Sequence, residues 1–260
     1  MTKLVGVLNY NNISFSDGGR FSTPQAAAEG AAQMLQEGAD IVDIGITSTS
    51  YGAKLLSQEE EWEKLEALLN LCTEYEISVD TFYPENALRS IMLGASMIND
   101  VSGGKDPRML EIIANNPSIK YVLMQSLVLP ADKKVRVKDI SEIYSFGERK
   151  IEECLRYGIQ KAQIIFDPGI GFTTNPEQSL ELIANIKHYK RLGVPIYVGH
   201  SRKSFLQELT YYPPEQRDIE TTAASVYLML ENVDYLRVHN VHMHKRALSV
   251  IEAILKYKIN

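Results

Sequence analysis

A chain of 260 residues with 45% apolar and 23% charged side chains can bury a sizeable core without disulfides or a structural metal. Its net charge of −6, mixed along the chain, excludes a general binder of nucleic acid or anionic membrane, because phosphate backbones call for a basic face. The two cysteines, Cys72 and Cys154, sit in helical patterns and suit reduced thiols of the cytoplasm. No window approaches the roughly 18 apolar residues of a membrane span, and the N-terminus lacks the layout of a signal peptide.

Short apolar or β-branched runs alternate with longer amphipathic stretches, and the alternation occurs eight times. The first run, 4–8, ends at Asn9 and is followed by a long loop over 10–22. Thr23-Pro24 then reads as an N-cap with proline at the first helical position, and Gly38 stops that helix. A second strand at 41–44 leads to Ser57 with Glu60 three residues on, a capping box that opens a helix towards Tyr75. Strand 77–79 precedes a helix that Pro84 starts and Gly94 ends, and strand 97–98 precedes one that begins at Asp106-Pro107. Strand 121–124 is followed by a helix over about 140–157, stopped by Gly158. Strand 164–166 leads to a helix opened by Pro176, and strand 196–198 to one split around Pro213-Pro214. Strand 235–238 and a helix over about 245–257 complete the series. Near-continuous apolar runs of this length suit strands of a parallel sheet covered by helices.

Eight β/α units fit either an open doubly wound sheet or a closed barrel. The open sheet normally carries a Gly-rich phosphate turn after its first strand, and here Asn9 and a long loop stand there instead. The reading is therefore an α/β chain forming a single (β/α)8 TIM barrel domain over residues 1–260. Such barrels place their sites at the C-terminal ends of the strands. Those positions hold Asn9, Asp43, Asp80, Asn99, Gln125, Asp167, His200 with Ser201, and Arg237 with His239. Carboxylates and an amide from Asp80, Asn99 and Asp167 suit a ligand rich in N–H donors. Arg202, Lys203, Arg237 and His239 come from the seventh and eighth strands, the usual barrel phosphate sector, and suit an oxyanion.

Ordered blocks along the chain carry a resemblance. Asn9 with Ser14-Phe15-Ser16-Asp17-Gly18-Gly19, then Ser78-Val79-Asp80-Thr81, Ile98-Asn99-Asp100, Asp167-Pro168-Gly169-Ile170-Gly171-Phe172, Ser201-Arg202-Lys203-Ser204 and Arg237-Val238-His239 resemble the signatures of the pterin-binding barrel family of dihydropteroate synthases. The resemblance implies that Asp80, Asn99, Asp167 and Lys203 hold a pterin ring. Arg237, His239, Asn9 and Thr49 would hold its pyrophosphate, with Asn9 beside Mg²⁺, and Phe172, Lys203 and Ser204 would shape a p-aminobenzoate slot. Asp17, Lys203 and Arg237 are then the catalytic candidates, with Asp17 and Thr49 on two loops that close over the reacting carbon. The implied reaction is a transfer in folate biosynthesis. It joins 6-hydroxymethyl-7,8-dihydropterin pyrophosphate to p-aminobenzoate, giving 7,8-dihydropteroate and pyrophosphate, in a cytoplasmic homodimer.

The chain departs from the family's pattern in both loops. Asn11-Asn12-Ile13 stands where Thr-Pro-Asp is usual, and Thr47-Ser48-Thr49-Ser50-Tyr51-Gly52 where Glu-Ser-Thr-Arg-Pro-Gly is expected. Ser50 thus removes a cation from the pyrophosphate side. Losing such a charge-assisted hydrogen bond costs roughly 1.5–3 kcal/mol, or one to two decades in rate. Lys54, in the same loop, is a candidate substitute. On strand five Gln125 replaces a common His. Two other readings keep the ring pocket: pterin binding without catalysis, and methyl transfer from a methylated folate. A metal hydrolase built on His239, His242 and His244 is the remaining alternative, with His242 and His244 expected to face solvent.

Overall fold

The structure, a computed structural model, describes residues 2–10, 21–49, 51–132 and 134–258. Strands β1 (Lys3–Asn9), β2 (Ile41–Gly45), β3 (Ile77–Asp80), β4 (Met97–Asp100), β5 (Lys120–Met124), β6 (Ile164–Asp167), β7 (Tyr197–Val198) and β8 (Tyr235–Val238) are all parallel. They form one sheet in the order β6-β5-β4-β3-β2-β1-β8-β7. Its two ends meet where Phe166 bridges Ile196 and donates its N–H to the Pro195 carbonyl at 2.9 Å. Pro195 has no N–H to give, which trims β7 to two residues and leaves the barrel nearly closed.

The helices start where the chain offers caps. Thr23 Oγ1 accepts from the Ala26 N–H ahead of α1 (Pro24–Gln36), and Ser57 and Glu60 form the reciprocal capping box of α2 (Gln58–Leu69). Pro84, Pro107 and Pro176 begin α3 (Pro84–Met92), α4 (Pro107–Ala114) and α6 (Pro176–Ala184), with α5 (Ser141–Arg156) between the last two. A short α7 (Ile186–Tyr189) follows α6 and is not legible in the periodicity. The helix expected to be split by Pro213-Pro214 is indeed two, α8 (Ser204–Thr210) and α9 (Asp218–Leu230). The last helix, α10 (Val241–Leu255), begins four residues before its expected start, because Asn240 Oδ1 caps it by accepting from the Met243 N–H at 3.0 Å. Cys72 and Cys154 are both buried, free thiols. Among the described residues no helix is long and apolar enough to cross a membrane.

Two apolar layers define where chemistry is possible. The larger lies between strands and helices and includes Leu8, Ile44, Leu65, Val79, Leu110 and Phe166. The smaller fills the barrel interior with Val5, Ile41, Met97, Val122, Ile165 and Tyr197, with Tyr235 packed against it. Side chains alternate faces along a strand, so the residue two positions on from each of these also points inward, one layer nearer the C-terminal mouth. Ile41 thus leads to Asp43, Met97 to Asn99, Ile165 to Asp167, Tyr197 to Gly199 and Tyr235 to Arg237. A dry floor lies beneath a polar ring.

Candidate active site

Arg237 occupies the centre of that ring. Its Nε donates to Asp43 Oδ2 at 2.6 Å and its Nη2 to Asp80 Oδ2 at 3.0 Å. Asn99 Nδ2 donates to the same Asp43 oxygen at 3.0 Å. Asp43 is fully buried, and Arg237 keeps 21% of its side-chain surface accessible. Burial works against the Arg237 charge, but Asp43 and Asp80 outweigh it and hold the guanidinium above its ordinary pKa. Burial raises the Asp80 carboxyl well above the ordinary carboxylate range, opposed by Arg237 and reinforced by Asp43 and Glu61. Asp43 Oδ1 and Asn99 Oδ1 are buried acceptors with no hydrogen-bond donor among the described residues. A ring that brings N–H groups would meet acceptors already aimed at it.

Two glycines keep space open among these side chains. A Cβ on Gly45 would stand 3.5 Å from Asn9 Oδ1 and 3.7 Å from Asp80 Oδ2, and one on Gly199 3.7 Å from Asp167 Oδ2 and 3.8 Å from Arg237 Cδ. Those are ordinary contacts, so the backbone does not demand glycine there. What a side chain would take away is volume between Asn9 and Asp80, and between Asp167 and Arg237.

Asp167 and Lys203 form the other half of the site. Asp167 Oδ1 accepts from the Gly169 N–H at 2.8 Å. The Lys203 ammonium donates to the Ile170 carbonyl and lies 4.4 Å from the Phe172 ring centroid. Burial pushes Asp167 up to about 6, held back by Lys203, and brings Lys203 down to about 8, held up by Asp167. The intervening turn explains the Gly-x-Gly of the motif: Gly169 and Gly171 have φ of +69° and +77°, and a Cβ on Gly169 would meet the Gln125 carbonyl oxygen at 2.3 Å. Gln125 itself accepts from Thr173 Oγ1 at 2.6 Å.

The segment 201–204 is built from behind by α9. Arg202 has a left-handed backbone, φ +59°, which a non-glycine residue keeps only when its surroundings impose it. Arg217 Nη1 donates to the carbonyls of Arg202 and Lys203 at 2.9 and 3.3 Å, its Nε to the Tyr212 carbonyl at 2.7 Å, and its Nη2 to Gln207 Oε1 at 2.8 Å. Asp218 takes the Arg202 side chain in a two-pronged pair, Nε to Oδ1 at 2.7 Å and Nη2 to Oδ2 at 3.0 Å. The Arg202 N–H is on Thr221 Oγ1 at 3.1 Å. Ser201 Oγ accepts from the His239 N–H at 3.2 Å and lies 2.9 Å from its Nδ1. The two residues at the mouth are thereby tied together.

The structure thus brings Asp80, Asn99, Asp167, Lys203 and Arg237 into one electrostatically connected cluster, with Phe172 against Lys203 and His239 on Ser201. Asn9 lies across Gly45 from Asp80, and Thr49 is buried, its carbonyl accepting from the Ala131 N–H at 2.9 Å. Ser204 is exposed at the start of α8. Asp17 and Ser50 lie outside the described residues. Lys54 is exposed, its charge felt at Glu60.

Two expectations change. His200 does not face the mouth: it is fully buried towards α9, with Nε2 2.8 Å from Ser225 Oγ, because it follows the inward Gly199 by one residue. Burial, with His244 beside it, pushes it down to about 3, so it is neutral at physiological pH. His244 does not face solvent either; it is buried with Nδ1 2.7 Å from the Asn240 carbonyl, because α10 starts early and turns it inward. With His239 on Ser201, the three histidines of the hydrolase reading do not converge, and no cluster of three His, Cys, Asp or Glu residues suited to a metal occurs among the described residues. Arg217 and Asp218 escape the sequence reading as site residues, and Asp43, read at the mouth end of the second strand, receives no role there. Its strand-end position marks Asp43, and its period-two relation to Ile41 turns it inward. Nothing local marks the other two.

A barrel whose mouth gathers buried carboxylates, an amide and paired cations has the makings of an enzyme site for a polar ligand. The pterin binding enzyme family model matches residues 5–239, and the chain belongs to that family. It is 32% identical to the dihydropteroate synthase of Clostridium beijerinckii over 266 residues, 98% of this chain and 95% of that protein. It is 37% identical to the folate synthesis bifunctional protein of Chlamydia caviae over 262 residues, 95% of this chain; the chain spans only 58% of that longer relative. The dihydropteroate synthase of Xanthomonas albilineans, solved with 4-aminobenzoic acid, superposes with a TM-score of 0.90 at 33% identity, covering 99% of this chain and 94% of that one.

Replacing Asp43 by Leu strips the buried guanidinium and the Asn99 amide of a shared acceptor, and should cost roughly 3–5 kcal/mol in urea unfolding. Asp43→Asn, which keeps an oxygen in place, should lose less than half of that; a near-neutral Leu variant would mean that the pair does not hold the site. The pH dependence follows from Asp167. Its ionised form is the stronger acceptor for a ring N–H, and its pKa is raised to about 6. Pterin affinity should therefore fall as pH drops below 6, by up to about tenfold per unit, a slope absent in Asp167→Asn.

Proposed function

We propose that the chain is a transferase that joins 6-hydroxymethyl-7,8-dihydropterin pyrophosphate to p-aminobenzoate, releasing 7,8-dihydropteroate and pyrophosphate. The observation that carries this is the convergence of Asp80, Asn99 and Asp167 acceptors beside the Lys203 ammonium, over an apolar floor. The roles follow from the chemistry of each group. Asp80, Asn99, Asp167 and Lys203 bind the ring. Arg237, His239, Asn9 and Thr49 face the diphosphate, and Phe172, Lys203 and Ser204 shape the arylamine slot. The methylene C–O bond breaks with its electron pair leaving on pyrophosphate, the arylamine nitrogen forms the new C–N bond, and that nitrogen then loses a proton. Spreading the leaving group's charge lowers the barrier, which is a task for Arg237 and His239. Asp17 supplies negative charge to the developing methylene cation.

Mg²⁺ fits this donor set as an ion that arrives with the diphosphate. Magnesium keeps several waters and takes few protein ligands, so the Asn9 amide oxygen together with phosphate oxygens is a sufficient set. When bound, it adds positive charge at the leaving group. The same reading makes the protein a cytoplasmic homodimer. Ile219 and Leu230 of α9, with Val250 and Ile254 of α10, leave apolar surface exposed on adjacent helices that a second copy would cover.

Incubation with the pterin pyrophosphate, p-aminobenzoate and Mg²⁺ should yield dihydropteroate and pyrophosphate in equal amounts, and Arg237→Met should lower turnover by at least about tenfold. Tight pterin binding without product would overturn the synthase reading in favour of a binding protein. Light scattering at micromolar concentration should give twice the mass of the chain, and Val250→Glu with Ile254→Glu should halve it; a monomeric parent would remove the dimer.

A further inference from the structure

Glu61 carries no role in the reaction described above, yet it is completely buried and accepts three hydrogen bonds. It lies in the first turn of α2. Thr47 Oγ1 donates to its Oε2 at 2.5 Å, Thr81 Oγ1 to its Oε1 at 2.5 Å, and Asn86 Nδ2 to Oε1 at 3.1 Å. Thr81 Oγ1 also accepts from the Tyr83 N–H at 3.2 Å, so its own proton is committed to Glu61. An acceptor-only carboxylate with this many donors is the strong form of such a contact, and the α2 N-terminus adds favourable field. Burial raises the Glu61 carboxyl above its ordinary range, and those donors hold it back in part.

The three donors come from three directions. Thr47 lies two residues beyond β2 and two before Thr49. Thr81 directly follows Asp80, and its N–H is on the Asn99 carbonyl at 3.2 Å. Asn86 belongs to α3 and also donates to the Gln58 carbonyl at 2.9 Å. One carboxylate therefore ties the exit of β2, which leads to the altered loop, to the exit of β3, which ends in a ring-binding carboxylate. Thr47 stands where the family's pattern has a Glu, and only a donor at 47 can face Glu61 in this way.

We propose that Glu61 is a positioning residue, whose carboxylate sets the β2–α2 loop bearing Thr49 in register with Asp80 and Asn99, and so fixes where the diphosphate lies relative to the ring. The inference rests on the synthase reading for its kinetic consequence, and its geometric part stands without it. The two arms are separable. Thr47→Val cuts the loop arm and leaves Thr81 and Asn86 in place, whereas Thr81→Val cuts the ring arm.

In the full-length protein, Thr47→Val should bind 6-hydroxymethylpterin, which lacks the diphosphate, within about threefold of the parent, and should lower kcat by about tenfold or more. Thr47→Ser, which restores the hydroxyl, should recover most of that loss. Thr81→Val should weaken 6-hydroxymethylpterin binding by about fivefold or more, and Glu61→Gln should show both defects. Parental kcat in a folded Thr47→Val protein would overturn the proposal. So would a Thr47→Ser variant no better than Val, since loss of packing and not of the hydrogen bond would then be the cause. A parent that binds the pterin and makes no product would sink the synthase reading alone, while the Thr81→Val binding arm would still decide the placement of Asp80 by Glu61. If Glu61→Gln does not fold, the threonine variants, each removing one of the hydrogen bonds to Glu61, keep the test intact.

Discussion

A guanidinium inside a barrel is held only by what surrounds it. Arg237 reaches Asp43 at 2.6 Å and Asp80 at 3.0 Å, and the same Asp43 oxygen takes the Asn99 amide. Removing charge from water is costly, so the cation is tolerable only with two carboxylates beside it, and they are tolerable only with the cation. This mutual dependence brings side chains from β2, β3, β4 and β8 to one point. It also leaves two buried acceptor atoms, Asp43 Oδ1 and Asn99 Oδ1, without a donor, in the place where a ring with N–H edges would lie. Beneath the polar ring lies a buried apolar layer, Val5 to Tyr197, so the charges find their partners within the ring itself.

The second half of the site depends on backbone held from outside the barrel. Lys203 is aimed between Ile170 and Phe172 because the turn before it is pinned by Arg217, Asp218 and Thr221 of α9 and its leading turn. Arg202, which looks in the sequence like one more phosphate-binding cation, has its charge committed to Asp218. Its contribution is to hold a left-handed turn. Glu61 does a related task on the opposite side of the mouth, where hydroxyls of two loops meet one carboxylate. In each place a charged side chain with several donors or acceptors fixes the path of a loop.

Much of this was legible before any coordinates. The capping residues Thr23, Ser57 and Asp106 and the prolines that follow or begin helices act locally, through bonds to residues two or three positions away, and so they located the elements correctly. The early start of α10 was overlooked although Asn240 is a cap of the same kind, because the residues after it, Val-His-Met-His, show no clear amphipathic period. The assignment of His200 to the mouth failed on face parity, which depends on which residue of β7 enters the interior layer. A two-residue strand gives too little alternation to decide that.

By itself the sequence determined the eightfold alternation of strand and helix, the barrel and the ordered motifs that mark Asp80, Asn99, Asp167, Lys203, Arg237 and His239. Those rest on short-range rules and on residue types at strand ends. Only the tertiary structure decided that Arg237 is shared between Asp43 and Asp80, that Arg202 turns back to Asp218, that His200 and His244 are buried, and that Glu61 joins two loops. The contacts of Arg237, Arg202, His200 and Glu61 span 14 to 194 positions in the chain, and no local preference encodes them. Each exists because burial makes a charge or hydroxyl seek whatever partner the fold has brought within reach.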